Sequence, residues 1–212
     1  MSTPDLPSSD CRICERLAEF RDANRRQQPD YFNAPVPAFS ARIETVRLLI
    51  VGLAPGMKGA NRTGRPFTGD FAGDLLYPTL LRHGWAKGEY GREATDGLHL
   101  EGARITNAVR CVPPQNKPTG PEISSCNPYL AAEIAGLPAL QEIVALGGIA
   151  HGAVLRALGE KKSAFRFAHG ARHRLKQGLI LADSYHCSRY NTNTGRLTEE
   201  MFDAVFAALD CR

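Results

Sequence analysis

The sequence lacks long apolar runs, an apolar leader and an internal linker, and each absence excludes an arrangement. Its apolar runs are far shorter than the roughly 20 residues that cross a bilayer as a helix. The segment from Met1 to Asp10 is polar and contains prolines, unlike the apolar region of a signal peptide. No linker-like stretch divides the 212 residues. We therefore expect one cytoplasmic, monomeric domain over residues 1–212, without membrane contact.

The sequence also lacks a strong charge of either sign, because its formal net charge is only +4. The positions of the basic residues say more than their total. Many of them fall in or beside predicted loops, namely Lys58, Arg62, Arg65, Arg110, Lys117, Arg189 and Arg196. Basic side chains that lie on loops rather than on helix faces indicate a polyanionic binding partner. A merely soluble basic surface is the alternative at this point.

Six cysteines are present, and four of them group by spacing. Cys11 and Cys14 form a C-x-x-C pair, while Cys111 and Cys126 form a second, wider pair. In a chain expected in the cytoplasm, such cysteines bind metal or act in catalysis more often than they form disulfides. The spacing alone leaves zinc, an iron–sulfur cluster and accidental thiols open.

Short apolar segments alternate with helical patterns along the chain. Strands are predicted over residues 46–51, 103–109, 142–146 and 178–182, and helices over 11–26, 71–83, from 121 onward, 149–158 and 198–209. This alternation predicts an α/β fold, a three-layer α-β-α sandwich with a central four-stranded parallel sheet. The segment 11–26 would be an N-terminal helix outside that alternation.

A glycine-rich connection from Gly52 to Asp70 leaves the first predicted strand. Connections this long are uncommon inside a compact domain unless they are functional. Ligands of parallel sheets bind at the carboxyl ends of the strands, so this connection should meet Asn107 and His186 there. Thr68 is the predicted N-cap of the next helix. Asp70 would then lie in the first turn, where the helix dipole favours an ionised carboxylate.

Three motifs follow the first, second and fourth predicted strands. They are GLAPG at 52–56 with GRPFTGD at 64–70, TNAVRCVPPQNKP at 106–118, and HCSRYNTNTGRLT at 186–198. Together they resemble family five, also called type b, of the uracil-DNA glycosylase superfamily. The resemblance implies a bacterial or archaeal type of enzyme of base excision repair. Its substrate would be uracil in double- or single-stranded DNA, and its product an abasic site.

The resemblance also implies a pocket for a base that is flipped out of the DNA. Phe67 would stack on the base, and Asn107 would hydrogen-bond its amide edge. Strict uracil enzymes follow their motif proline with tyrosine, whereas Pro55 is followed here by Gly56. The pocket should therefore be roomier and accept other deaminated bases such as hypoxanthine. The expected substrate-binding residues are Gly52, Ala54, Gly56, Phe67 and Asn107.

His186 would stabilise the negative charge of the departing base. Sister families hold the attacking water with an acidic residue at the position of Leu53 or Ala54, and this sequence has none there. Asp70 is the first candidate for that role and Asn61 the second. The rival reading of the glycine-rich stretch as a nucleotide-phosphate loop fails, because the Gly-Lys-Ser/Thr ending is missing.

The remaining expectations concern DNA and a cofactor. The loop Arg189-Tyr190-Asn191 would enter the duplex. The expected DNA-binding residues are Arg62, Arg65, Lys117, Arg189, Tyr190 and Asn191. The resemblance implies a [4Fe–4S] cluster held by Cys11, Cys14, Cys111 and Cys126. The alternative function is a non-catalytic iron–sulfur protein that binds damaged DNA.

Overall fold

The computed structural model describes residues 6–176 and 178–211. The expectation for the leader segment therefore lies partly outside the described residues. No helix within the described ranges is long and apolar enough to cross a membrane.

The helices and strands follow one another in the order that the sequence predicts, with short additional elements. The strands are β1 (Phe39–Ser40), β2 (Leu48–Gly52), β3 (Ala86–Lys87), β4 (His99–Leu100), β5 (Ala103–Asn107), β6 (Glu142–Leu146), β7 (Arg172–Arg174) and β8 (Ile180–Ser184). The helices are α1 (Glu15–Gln27), α2 (Ala60–Thr63), α3 (Phe71–Arg82), α4 (Gly120–Ala135), α5 (Gly148–Ala157), α6 (Arg189–Asn193) and α7 (Glu199–Ala207).

The main sheet has the strand order β1-β5-β2-β6-β8-β7. Its inner strands β5, β2, β6 and β8 are parallel, and the two outer strands pair antiparallel. The predicted α/β architecture is confirmed, but the predicted strand count is wrong, because this sheet has six strands rather than four. The outer strands span only two and three residues, too few for a periodic pattern to reveal. β3 and β4 form a separate hairpin.

The inner strands are buried on both faces, and their alternate residues face two different helical layers. Leu48 and Ile50 belong to the layer that contains residues of α3 and α7, such as Leu76 and Phe202. Leu49 and Val51 belong to the layer formed with α4 and α5. Burying a side chain such as Leu contributes about 1.5–3 kcal/mol, so this continuous burial fixes the register of the sheet.

Three local predictions are corrected by the structure. α1 begins at Glu15, so that Cys11 and Cys14 precede the helix rather than open it. The glycine-rich connection contains the short helix α2. The predicted loop at Arg189 is the short helix α6, whose N-cap Ser188 accepts a hydrogen bond from the backbone of Asn191 at 3.5 Å.

Candidate active site

A cavity of about 560 Å³ opens at the carboxyl ends of the parallel strands, and we call it the rim pocket. Residues at or after the end of each inner strand line part of the rim pocket. Ala54 and Gly56 follow β2, Asn107 ends β5, Gly147 follows β6 and His186 follows β8. The position agrees with the general rule for ligands of parallel sheets. The size suits a single nucleobase with room to spare.

Phe67 and Asn107 meet beneath this pocket because Gly52 has no side chain. A Cβ atom at Gly52 would lie 2.4 Å from Asn107 Oδ1 and 2.5 Å from Phe67 Cζ. Phe67 also has a φ of 54°, a left-handed conformation that costs a non-glycine residue roughly 1–2 kcal/mol. The hydroxyl of Tyr90 donates to the carbonyl of Phe67 at 3.2 Å and helps to hold that conformation.

His186 follows β8 after Tyr185, with its ring against Phe67. The ring centroids are 5.9 Å apart, and the planes are inclined by 30°. Burial disfavours the imidazolium and lowers the pKa of His186 to about 4. The amide of Asn191 donates to the His186 carbonyl at 2.8 Å, which ties the chain after β8 to α6. His186 is therefore neutral near pH 7 and can donate one ring N–H.

Asp70 combines two tasks at the start of α3. It is the N-cap of that helix, and its Oδ1 accepts a hydrogen bond from the backbone of Ala72 at 3.2 Å. Its Oδ2 faces Gly56 and Gly59, where a Cβ atom would lie only 2.8 Å and 2.2 Å away. Burial raises the pKa of Asp70 above its usual range, and this effect outweighs the two backbone amides that lower it.

This position corrects two expectations about the start of α3. Thr68 is not the N-cap, because its hydroxyl instead accepts a hydrogen bond from Arg65 Nε at 2.7 Å inside the protein. Asp70 takes the cap in its place. We expected the helix dipole to favour the ionised carboxylate, but the surroundings remove water from Asp70 and shift its pKa upward.

Comparison with known proteins agrees with this geometry. The family model of the uracil DNA glycosylase superfamily matches residues 40–210. The chain belongs to this superfamily. It is 46% identical over 197 residues to the type-5 uracil-DNA glycosylase of Thermus thermophilus, covering 91% of this chain and 89% of that protein. It is 45% identical over 215 residues to the type-5 uracil-DNA glycosylase of Mycobacterium leprae, covering 97% and 93%.

A type-4 uracil-DNA glycosylase of Sulfurisphaera tokodaii is a more distant relative, 31% identical over 165 residues that cover 74% of this chain and 68% of that protein. The superfamily that the three motifs predict is thus confirmed. The higher identity to the two type-5 proteins fits the predicted family five.

Two of the predicted site residues, the catalytic candidate Asn61 and the DNA-binding candidate Arg65, do not line the rim pocket. Asn61 is 1% exposed, and its amide donates to Asn33 Oδ1 at 2.9 Å. This contact joins α2 to the chain at Asn33, and Asn61 does not line the rim pocket. Arg65 is also buried, and both its terminal nitrogens bind Asp96, at 2.8 Å and 2.6 Å. The structure therefore corrects the expectation that Arg65 contacts DNA.

The other predicted DNA-binding residues are more accessible. Arg189 and Tyr190 line the mouth of the rim pocket, and Tyr190 is 72% exposed. The Arg189 guanidinium lies 5.2 Å from the ring centre of Phe71. Lys117 is exposed on the 106–118 motif. Arg62 is partly buried and pairs with Glu93 at 2.9 Å.

The pocket also contains residues that sequence reasoning missed. Gly147 and Gly148 line it at the start of α5, beside Ile149, which is 46% exposed. The glycine pair directly after the third predicted strand was a usable signal, because Gly147 has a φ of 100° that favours glycine. Asn116 also lines the pocket, with a left-handed φ of 57°.

A hydrogen-bonded cluster connects β8, the strand that precedes His186, to its neighbouring elements. Asp183 is fully buried and contacts His151 Nδ1 at 2.7 Å and His173 Nε2 at 3.0 Å. His151 Nε2 lies 3.0 Å from the carbonyl of Phe165. These contacts join α5 and β7 to β8, which indicates a structural role for a cluster that the sequence did not reveal.

The four grouped cysteines line one small second cavity of about 20 Å³, which we call the sulfur site. They are Cys11, Cys14, Cys111 and Cys126. Four cysteine thiolates can hold one zinc ion or an iron–sulfur cluster, so this shared cavity indicates a candidate metal-binding set without fixing the metal.

Proposed function

We propose that this protein is a DNA glycosylase of base excision repair that hydrolyses the N-glycosidic bond of uracil in DNA and leaves an abasic site. One observation carries the proposal. Separate segments after β2, β5 and β8 bring Phe67, Asn107, His186 and Asp70 to one pocket that can hold a base. The activity of the type-5 relatives, as their names state it, supports the same assignment.

Base recognition would use the face and the edge of uracil. The base leaves the DNA stack and enters the rim pocket, where the ring of Phe67 offers a stacking surface. The Asn107 amide has a donor and an acceptor side by side, which matches the N–H and C=O groups on one edge of uracil. Gly52 keeps the two side chains close enough to act on the same base.

The reaction breaks the bond between C1′ of deoxyribose and N1 of uracil. The bonding electrons leave with the base, and the neutral His186 donates a hydrogen bond to the uracil oxygen as negative charge develops. Water adds to C1′ with Asp70 as its hydrogen-bond acceptor, and the proton passes to the carboxylate and then to solvent. Oδ2 is the oxygen available for this, because Oδ1 caps α3.

We extend the proposal to other deaminated bases such as hypoxanthine. The rim pocket has a volume of about 560 Å³, and no side chain at Gly56 narrows it. The test is a panel of matched duplexes that contain uracil, hypoxanthine or thymine opposite the same base. We expect cleavage of the first two. Cleavage of uracil alone would refute the broader range and leave uracil excision intact.

We further propose that Cys11, Cys14, Cys111 and Cys126 hold a [4Fe–4S] cluster. Thiolates are the usual ligands of such clusters, and the four cysteines line one small cavity. When bound, the cluster would serve as a cross-link between the chain before α1 and the 106–118 motif. Metal analysis and a visible spectrum of anaerobically purified protein test this. Stoichiometric zinc without iron would contradict it.

DNA would approach along the mouth of the rim pocket. Tyr190 is exposed there and is suited to fill the gap that the flipped base leaves. Arg189 and Lys117 are exposed, and we expect them to contact phosphates. A Tyr190→Ala variant should bind uracil-containing duplex more weakly, whereas its excision from single strands should change less.

A further inference from the structure

The buried face of α1 contains a charged residue, Arg21, whose burial is not explained by apolar packing. Leu17, Ala18, Arg21 and Asn24 are the buried positions of this helix, and they recur at helical spacing. The first two are apolar, as expected of a core-facing stripe. Arg21 is only 1% exposed, although arginine is almost never fully buried without a partner.

Most of the Arg21 guanidinium has no acceptor. Within the described residues, its Nε and Nη2 atoms are buried and make no hydrogen bond. The nearest carboxylate oxygen is Asp22 Oδ1, 4.0 Å from Nε. Asp22 is already bound by Arg12 at 2.9 Å and is 3.8 Å from Arg25. An unpaired buried charge is strongly unfavourable, so an anion beside the Arg21 guanidinium would stabilise the fold.

The remaining nitrogen points to the identity of that anion. Arg21 Nη1 lies 3.9 Å from Cys111 Sγ, within range of a hydrogen bond to sulfur. A second donor reaches the sulfur site from the backbone, because the amide of Arg110 lies 3.4 Å from Cys126 Sγ. The Arg110 guanidinium pairs with Glu133 and leaves one buried donor, its Nε, without a partner, whereas Arg21 has two such donors among the described residues.

We propose that Arg21 is a positioning residue for the anionic metal–sulfur group, binding the Cys111 thiolate and offsetting the negative charge of the cluster. The inference rests on the proposed [4Fe–4S] cofactor. A cluster held by four thiolates carries net negative charge, and nearby charges and hydrogen bonds to sulfur set its stability and reduction potential. The two unpaired donors of Arg21 would then lie beside the negative charge of the cluster.

The test compares Arg21→Gln and Arg21→Lys with wild type and with the control Arg26→Gln, an exposed arginine on the same helix. Iron and sulfide per chain, the rate of cluster loss under a chelator and the midpoint potential are measured. Loss of a partner of a metal ligand typically costs roughly 10–100-fold in metal affinity. We therefore expect Arg21→Gln to lose iron at least about tenfold faster and to have a lower midpoint potential.

Arg21→Lys keeps the charge but loses the planar fork, so its rate of iron loss should fall between those of wild type and Arg21→Gln. Wild type that contains no iron would remove the cofactor proposal itself. Wild type with iron, together with an Arg21→Gln variant that matches Arg26→Gln in iron loss and potential, would overturn the role of Arg21 alone. If Arg21→Gln does not fold, equal iron loss from Arg21→Lys and Arg26→Gln would overturn it.

Discussion

At the residue scale, Asp70 must serve a helix and a reaction with one carboxylate. Its Oδ1 caps α3, and its Oδ2 faces the glycines of the rim pocket. Truncation to alanine would remove both functions and cost roughly 0.5–2 kcal/mol of stability through the lost cap. Asparagine caps about as well as aspartate but cannot accept a proton. Asp70→Asn therefore separates the two tasks.

We expect Asp70→Asn to excise uracil at least about 100-fold more slowly in single-turnover assays, because general-base assistance contributes roughly 10²–10⁴-fold. Its affinity for uracil-containing DNA and its melting temperature should stay close to those of wild type. Asp74→Asn, one turn along the same helix, is the control and should retain activity. An Asp70→Asn variant with wild-type rates would remove Asp70 from the mechanism.

The same carboxylate predicts the acid side of the pH profile. Burial raises the pKa of Asp70, and the reaction needs the ionised form, so the rate should begin to fall with decreasing pH above the ordinary aspartate value of about 4. His186 has a lowered pKa of about 4 and adds no change near neutrality. The single-turnover rate measured across pH checks this. A wild-type rate that is flat down to pH about 4 would contradict it.

Motifs predicted the pocket residues, but they did not predict the partners of individual side chains. Phe67, Asn107 and His186 follow strands of a parallel sheet, so their convergence follows from topology. The burial of Arg65 depends on Asp96, which lies 31 positions further along the chain. Such pairing at a distance leaves no local pattern. The Asn61 amide is taken by Asn33 for the same reason.

At the scale of elements, the positions of Asn107 and Phe67 depend on how closely their side chains approach the backbone at the end of β2. Gly52 ends β2, and a Cβ atom there would overlap Asn107 and Phe67. Gly52→Ala should push the two side chains apart and lower excision at least about tenfold, since a displacement of about 1 Å can cost about 100-fold. Gly120→Ala has nothing within 4 Å and is the control. Comparable rates for the two variants would show that the pocket tolerates the extra carbon.

The ion pair between Arg65 and Asp96 connects the glycine-rich connection to the chain before β4. Both side chains are only 5% exposed, and the Arg65 guanidinium also lies 5.0 Å from the ring centre of Phe39. The Arg65 guanidinium lowers the pKa of Asp96 to about 2. A carboxyl group whose pKa is lower in the folded than in the unfolded protein stabilises the fold at pH values above its unfolded pKa. This contribution should be lost as the pH falls from about 4 to about 2.

We expect Arg65→Gln to lower the free energy of unfolding by about 3–5 kcal/mol, because it leaves a buried carboxylate unpaired. For a chain of this size that corresponds to a melting temperature roughly 6–20 °C lower. Arg62→Gln breaks a pair with the exposed Glu93 and should cost at most about 1 kcal/mol. Thermal unfolding measures both. An Arg65→Gln variant with unchanged melting temperature but weaker DNA binding would restore the original DNA-contact assignment.

At the scale of the whole molecule, periodicity predicted the sheet's centre but not its margins. β2, β5 and β6 are uniformly buried strands, and the apolar residues of β2 and β6 make those two stand out in the sequence. β1 has two residues and β7 has three, all polar in β7, and both are strands because they pair with the edges of β5 and β8. α1 likewise begins at the sulfur site, where its N-cap Cys14 makes no side-chain hydrogen bond to the helix.

The central claim is that this fold excises uracil, and one measurement tests it most directly. The purified protein is incubated with a duplex that contains a single labelled uracil, and the product is treated with alkali and separated by size. We predict scission at the uracil position only, with free uracil released in equal amount and no scission of the matched thymine duplex. Binding to the uracil duplex without base release or scission would contradict the account and favour the damage-binding alternative.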